Sequence, residues 1–243
     1  MTTSGTNTFN LTAQRLIDLA LMDIGVNGPG GSVDPNLRVM ALDALNMVIK
    51  NTDTQGEFTW RTSRITQTLT SGVASYVLSN RVTDLDQPAR YTQAGATYGS
   101  QVISMTRDEY MALPDRTIQG TPFRYYCESS LDATGLQFMT LYLYPVPPNT
   151  GDTLEYAAVL KALDLTDLSQ TIDAPQKWLN VYRAALAADL CPAFGAMDRV
   201  AFFTKKAKDL MDDATADDSE SGDLQVVPFG GTNYGYSTYG GSR

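Results

Sequence analysis

The chain contains no histidine, and only 2 of its 243 residues are cysteine. Without an imidazole there is no Ser-His-Asp triad, no ordinary general base near neutral pH and no histidine-based zinc site. Cys127 and Cys191 lie too far apart to make a metal or redox motif. In a chain with no mark of secretion they read as two buried thiols, with one long-range disulfide as the alternative. Positive charge is also scarce: 18 Lys and Arg stand against 27 Asp and Glu, a formal net charge of -9. A protein that grips duplex DNA needs a basic face to displace counterions, and this balance argues against one. No run approaches the roughly 20 apolar residues of a membrane helix. The opening MTTSGTNTFN has neither the basic nor the apolar region of a signal peptide. These absences predict a soluble protein made in a reducing cytoplasm, with no cofactor, no metal and no membrane partner.

What is present suits a folded chain. Hydrophobic residues make up 43% and charged residues 19%, enough for one larger domain or a domain with appendages. The acidity is uneven. From Asp212 onward six acids face Arg243 alone, a local net of -5 that leaves -4 for the body.

Residues 10–58 read as a helical hairpin. TAQRLIDLALMDIG has helical spacing and a stop at Gly25, VNGPGGS is a turn, and Asp34-Pro35 is a cap followed by proline at the first helical position. The second helix should reach about Gln55, with Val39, Leu42, Leu45, Val48 and Ile49 as its buried stripe. Residues 59–170 change to period two. WRTSRITQTLT and ASYVLSN, separated by Ser71-Gly72, predict a hairpin. GSQVISMT, TPFRYYCESS, Leu136–Tyr144 and Thr153–Leu163 predict further strands of an antiparallel sheet. RDEYMALP, capped by Thr106 and stopped by Pro114, predicts a short helix among them.

Between the last two strands stands PVPP. It has the spacing of a polyproline ligand, but strands flank it on both sides. Pro145 ends the pairing, Pro147-Pro148 stiffen the exit and Asn149-Thr150-Gly151 make the turn, so it reads as a rigid hairpin corner.

Residues 171–216 are helical again, with APQKWLNVYRAALAADLC and MDRVAFFTKKAKDLMDDA as the two helices. Residues 217–243 form an acidic, then Gly/Tyr-rich tail that cannot bury a core of its own. The predicted class is α+β, with helices from both ends completing one bundle around an antiparallel β-rich middle domain and an extended tail leaving it.

No motif specifies a reaction. There is no phosphate-binding glycine loop, no GxSxG and no carboxylate cluster with metal-ligand spacing. Asp84 with Asp86 and Asp108 with Glu109 are the only carboxylate pairs to weigh, and the second pair opens a helix, where acids compensate the dipole. Lys205, Lys206 and Lys208 beside Phe202 and Phe203 allow a nucleic-acid contact, against a solvated helix face whose rings pack inward. Trp178 and Tyr182, one turn apart, suit a core or a helix interface. NYGYSTYGG offers tyrosines spaced by small residues, a pattern that orders on a partner at low entropic cost.

The order of pieces carries a resemblance. GTPFRYYCESS leads to a strand ending in LYPVPP, then to a returning strand DTLEYAAVLKALDL, then to APQKWLNVYRAALAADLCPAFG. From Gly120 to Gly195 this order resembles the head-to-tail adaptors of short-tailed bacteriophages, the tail tubular protein A family. The resemblance implies a structural virion protein and not an enzyme, a homo-oligomer in a twelve-fold ring in the neck of the particle. The ring would sit between a portal protein and a tail nozzle protein, with genomic DNA passing through without specific binding. It makes Trp178, Tyr182, Phe202, Phe203, Phe229, Tyr234, Tyr236 and Tyr239 portal-contact candidates. Pro145, Val146, Pro147, Pro148 and Asn149 become nozzle-contact candidates. A virion peptidoglycan hydrolase working through Asp108 and Glu109, or a DNA-contacting module working through Lys205 and Lys206, are the alternatives.

Overall fold

The computed structural model describes residues 9–28, 31, 33–54 and 58–218. The tail expected over 217–243 lies outside the described residues from 219 onward, and with it Phe229, Tyr234, Tyr236 and Tyr239.

Thr12 caps helix α1, Ala13–Asp23, by accepting from the Arg15 amide. The helix buries Ala13, Leu16, Ile17, Ala20 and Leu21, the spacing of a single apolar face. Gly25 closes it at φ +83°, where a Cβ would also meet the Arg199 guanidinium at 3.2 Å. Helix α2, Pro35–Asp53, is capped by Asp34, whose carboxylate accepts from the Asn36 amide at 2.8 Å. Its buried stripe is Ala41, Leu42, Leu45, Val48, Ile49 and Thr52. Val39, expected in that stripe, is 56% exposed. At 100° per residue it lies about a third of a turn from the stripe's centre.

Short helix α3, Arg107–Met111, sits among the strands, while α4, Gln176–Leu190, and α5, Met197–Asp218, follow them. Helix α4 is buried on nearly every side because α1, α2 and α5 all pack on it. Together with Phe58 and the returning segment at Ala162, Leu165 and Ile172, these helices share one core. Bidentate ion pairs tie them at the rim: Arg38 to Asp18 at 2.9 and 3.1 Å, and Arg183 to Asp23 at 2.7 and 2.5 Å.

The strands are β1 Thr62–Thr68, β2 Ser75–Val77, β3 Val82–Thr92, β4 Ser100–Ser104, β5 Arg124–Leu131, β6 Gln137–Tyr144 and β7 Thr153–Leu160. They form one seven-stranded sheet in the order β1-β7-β3-β4-β5-β6-β2. Consecutive strands β1 and β2 therefore stand at the two edges. Residues 69–74, spanning at most about 24 Å, join them, whereas a flat sheet would hold those edges about 29 Å apart. The sheet is accordingly curled. Leu69, Val102, Leu141, Leu143, Leu154 and Ala158 converge inside it.

Four sequence expectations change here. The proline corner does not close a hairpin, because β6 pairs β5 and β2 whereas β7 pairs β1 and β3. The WRTSRITQTLT and ASYVLSN segments do not pair with each other: β1 pairs β7 over Thr62–Val159 to Thr68–Thr153, and β2 pairs β6. Alternation marks a strand but not its partner, and β7 offers β1 a longer ladder. The longest strand, β3, had no strand signal, since Pro88 and two aspartates interrupt it. Register shifts at Val82/Asp84 and Asp86/Arg90 accommodate them. Finally, the sheet is not wholly antiparallel. β4 and β5 run parallel, which the long connection through α3 permits.

Candidate functional site

The proline corner is the best-tied loop of the sheet. The Tyr144–Pro145 peptide is cis. Gly72, at φ +76°, donates its N–H to the Pro147 carbonyl at 3.0 Å, and the Ser71 hydroxyl donates to the Pro148 carbonyl at 2.8 Å. On the other flank, Gly120 N–H donates to the Val146 carbonyl and Val146 N–H to the Ile118 carbonyl, both at 2.9 Å. Below the corner the Asp152 carboxylate is fully buried and satisfied. It accepts from the Tyr91 hydroxyl and, at 2.9 Å, from the Ala94 amide. Burial, and then the hydrogen bond to Asp152 and that residue's charge, push the Tyr91 phenol well above its ordinary range. Segments 69–72, 91–94, 118–120 and 145–152 thus form a single platform.

The platform separates the nozzle-contact candidates. Val146 is only 2% exposed and Pro147 is buried, so both serve as the keel of the corner. Pro145, Pro148 and Asn149 are half-buried and reach the surface. Beside them stand two apolar residues that the sequence did not single out. Ile118 is exposed, and Phe123 is 51% exposed with its ring edge-on to Tyr144 at 5.9 Å. No local signal distinguishes Phe123 from Tyr125 and Tyr126. The start of β5 and the curl of the sheet decide which ring stays outside.

The portal-contact candidates divide in the same way. Trp178 and Tyr182 have no exposed surface, and Phe203 is buried. Trp178 meets Phe58 edge-on at 4.5 Å and lies 6.2 Å from Tyr182. The Tyr182 hydroxyl accepts from Arg61 Nη2 at 3.3 Å. Arg61 is itself buried, 4.4 Å over the Trp60 ring and ion-paired with Asp53. Burial lowers the pKa of this guanidinium. These rings seal the junction of the helices with the start of β1, so as the chain stands they offer no partner surface. Phe202 does: it is 63% exposed, perched on Phe203 at 5.2 Å. Around it Lys205, Lys206 and Lys208 are solvated, and Lys206 Nζ lies 5.9 Å from the buried Phe203 ring. Helix α2 adds further exposed apolar residues, Val39, Met40 and Met47, the last at 68%.

The carboxylate pairs have other partners. Thr106 and Glu109 form a reciprocal capping box: the Glu109 carboxylate accepts from the Thr106 amide at 2.7 Å, and the Glu109 amide donates to the Thr106 hydroxyl. Those hydrogen bonds lower the Glu109 pKa. A glycosidic general acid needs the opposite shift, so the geometry counts against the Asp108/Glu109 hydrolase alternative. Asp84 turns back to accept from the Leu85 amide at 2.8 Å. Among the described residues no three acidic, cysteine or histidine side chains gather to hold a metal. No described helix is long and apolar enough to cross a membrane. Both cysteines are free, and burial pushes the Cys127 thiol up to about 12.

Compared with curated proteins, the chain finds no match. A family model does match, that of the SU10 adaptor protein, over residues 11–227, and it covers the helices, the sheet and the segment joining them. The chain belongs to the SU10 adaptor protein family and is a structural head-to-tail adaptor of a bacteriophage.

Proposed function

We propose that the protein is the ring-forming adaptor of a short-tailed phage, of the tail tubular protein A type, joining the portal to the tail nozzle and lining the DNA exit channel. The match over residues 11–227 carries this reading. The geometry supports a two-partner role. Apolar residues stand free on the helices at Phe202, Met197 and Met47, and on the sheet at Ile118 and Phe123. In the proposal, Phe202 and the tail residues Tyr234, Tyr236 and Tyr239 meet the portal. Pro145, Pro148 and Asn149, with Ile118 and Phe123, meet the nozzle. The inward Trp178, Tyr182, Phe203, Val146 and Pro147 hold those surfaces in place.

A ring of twelve copies repeats each small contact, so that modest interfaces add to a firm joint. A net charge of -9 also suits a channel through which DNA must slide, since phosphates are repelled rather than bound. Co-sedimentation with the portal tests the assignment. Deleting residues 219–243 should leave a folded protein that no longer sediments with the portal. Equal recovery of truncated and full-length protein would refute the role given to the tail.

A further inference from the structure

A trough of about 940 Å³ runs between α2 and α5 with α4 as its floor. Val48, Val181, Ala185, Ala188, Ala207 and Met211 form an apolar strip in it, edged by polar side chains such as Asn51, Asp189 and Lys208. Alanines at 185 and 188, about one turn apart on α4, keep the floor low, so the neighbouring helices do not fill the space. A cleft of this size and polarity is built to take an occupant. Its α5 wall extends from Thr204 to Ala216, and α5 is described as far as Asp218, two residues beyond that wall.

The sequence beyond that point contains a single aliphatic run, Leu224-Gln225-Val226-Val227-Pro228-Phe229. The rest is acidic or rich in Gly, Tyr, Ser and Thr. Residues 219–223 separate the run from α5 and reach about 17 Å when extended. The α5 wall is about 18 Å long at 1.5 Å per residue. The linker can therefore double back from Asp218 and lay the run, about 20 Å long when extended, along the trough. Tethering also gives this segment an effective concentration on the order of millimolar, which favours it over a free competitor.

We infer that the trough is the seat of Leu224–Phe229 of the same chain, with Leu224, Val226, Val227 and Phe229 packed against the α4 floor. Residues 230–243 are left outside. The tyrosine-rich end then starts from a fixed point on the helices, and Tyr234, Tyr236 and Tyr239 stay free for a partner while Phe229 belongs to the seat. The inference concerns the isolated chain, so it stands or falls separately from the portal assignment.

Two full-length variants test it, Ala207→Cys/Val227→Cys and Ala207→Cys/Ser237→Cys, at low concentration under a mild oxidant. The native cysteines compete poorly, because burial raises both thiol pKa values and the thiolate is the nucleophile. Loop length alone would make the 207–227 bridge form only about twice as fast as the 207–237 bridge. A seated tail should make it at least about five times as fast, with the bridge inside one chain. A smaller ratio overturns the inference. So does a bridge found only between labelled and unlabelled copies, which would assign the trough to a second molecule. As an independent readout, full-length Val226→Asp/Phe229→Asp should speed hydrogen exchange over residues 181–189 and 204–216. Unchanged protection there contradicts the seat.

Discussion

The proline platform and the helical layer handle buried space in opposite ways. At the platform no described side-chain N or O atom is buried without a partner. The Asp152 carboxylate, the Tyr91 hydroxyl and the carbonyls of Val146, Pro147 and Pro148 are all bonded. Among the described residues, the seam at Arg61 leaves Nε and the Trp60 indole N–H buried without a hydrogen-bond partner, and the helices leave a trough over α4. Polar saturation fixes a loop in one shape, as the proposed ring would require of a repeated surface. Apolar packing with room to spare suits a surface that receives a further segment of chain. A buried polar group without a partner costs stability, so the helical layer must recover it elsewhere, in the aromatic and aliphatic core around Trp178.

That contrast can be broken at several points. The largest effect is expected for Trp178→Ala, which empties the centre of the aromatic seam and should cost about 4 kcal/mol in denaturant unfolding. Arg61→Met removes one member of a buried ion pair and leaves Asp53 uncompensated, and should cost about 3 kcal/mol. Equal stability of this variant and the parent would show that the seam is held by packing alone. Asp152→Ala strands the Tyr91 hydroxyl and the Ala94 amide, and should cost about 2 kcal/mol. Its effect should centre on the platform, read as faster hydrogen exchange over 91–96 and 145–152 with 181–190 unchanged.

Alkaline pH sharpens the comparison further. The folded-state pKa of Tyr91 is raised, so its contribution is fully present below the unfolded value near 10 and is lost as pH rises through and beyond it. Stability should fall above about pH 10, and Tyr91→Phe should flatten that fall. The smallest effect on stability is expected for Phe123→Ser, within about 0.5 kcal/mol because the ring is largely exposed, yet nozzle binding should weaken.

Much of this fold could be read from the chain because local chemistry decided it. Thr12, Asp34 and Thr106 cap the helices where their side chains allow it, and the two strands flanking the proline corner show plain alternation, though they do not pair with each other. What could not be read depends on distant partners. The pairing of β1 with β7, the parallel β4–β5 pair and the bulged β3 around Pro88 follow from how the sheet curls, and no local signal records that. The candidate contacts met the same limit. An aromatic residue at a helical position can face a core or a partner. Trp178 and Tyr182 face the core because α4 is packed on by three other helices, whereas Phe202 on α5 stays outside.

The central claim is assembly between a portal and a nozzle. Mass measurement of the complex formed when the purified protein is mixed with its portal tests that most directly. The account predicts a single species carrying twelve copies of this chain on the portal. A chain that stays unbound in the presence of the portal would contradict it.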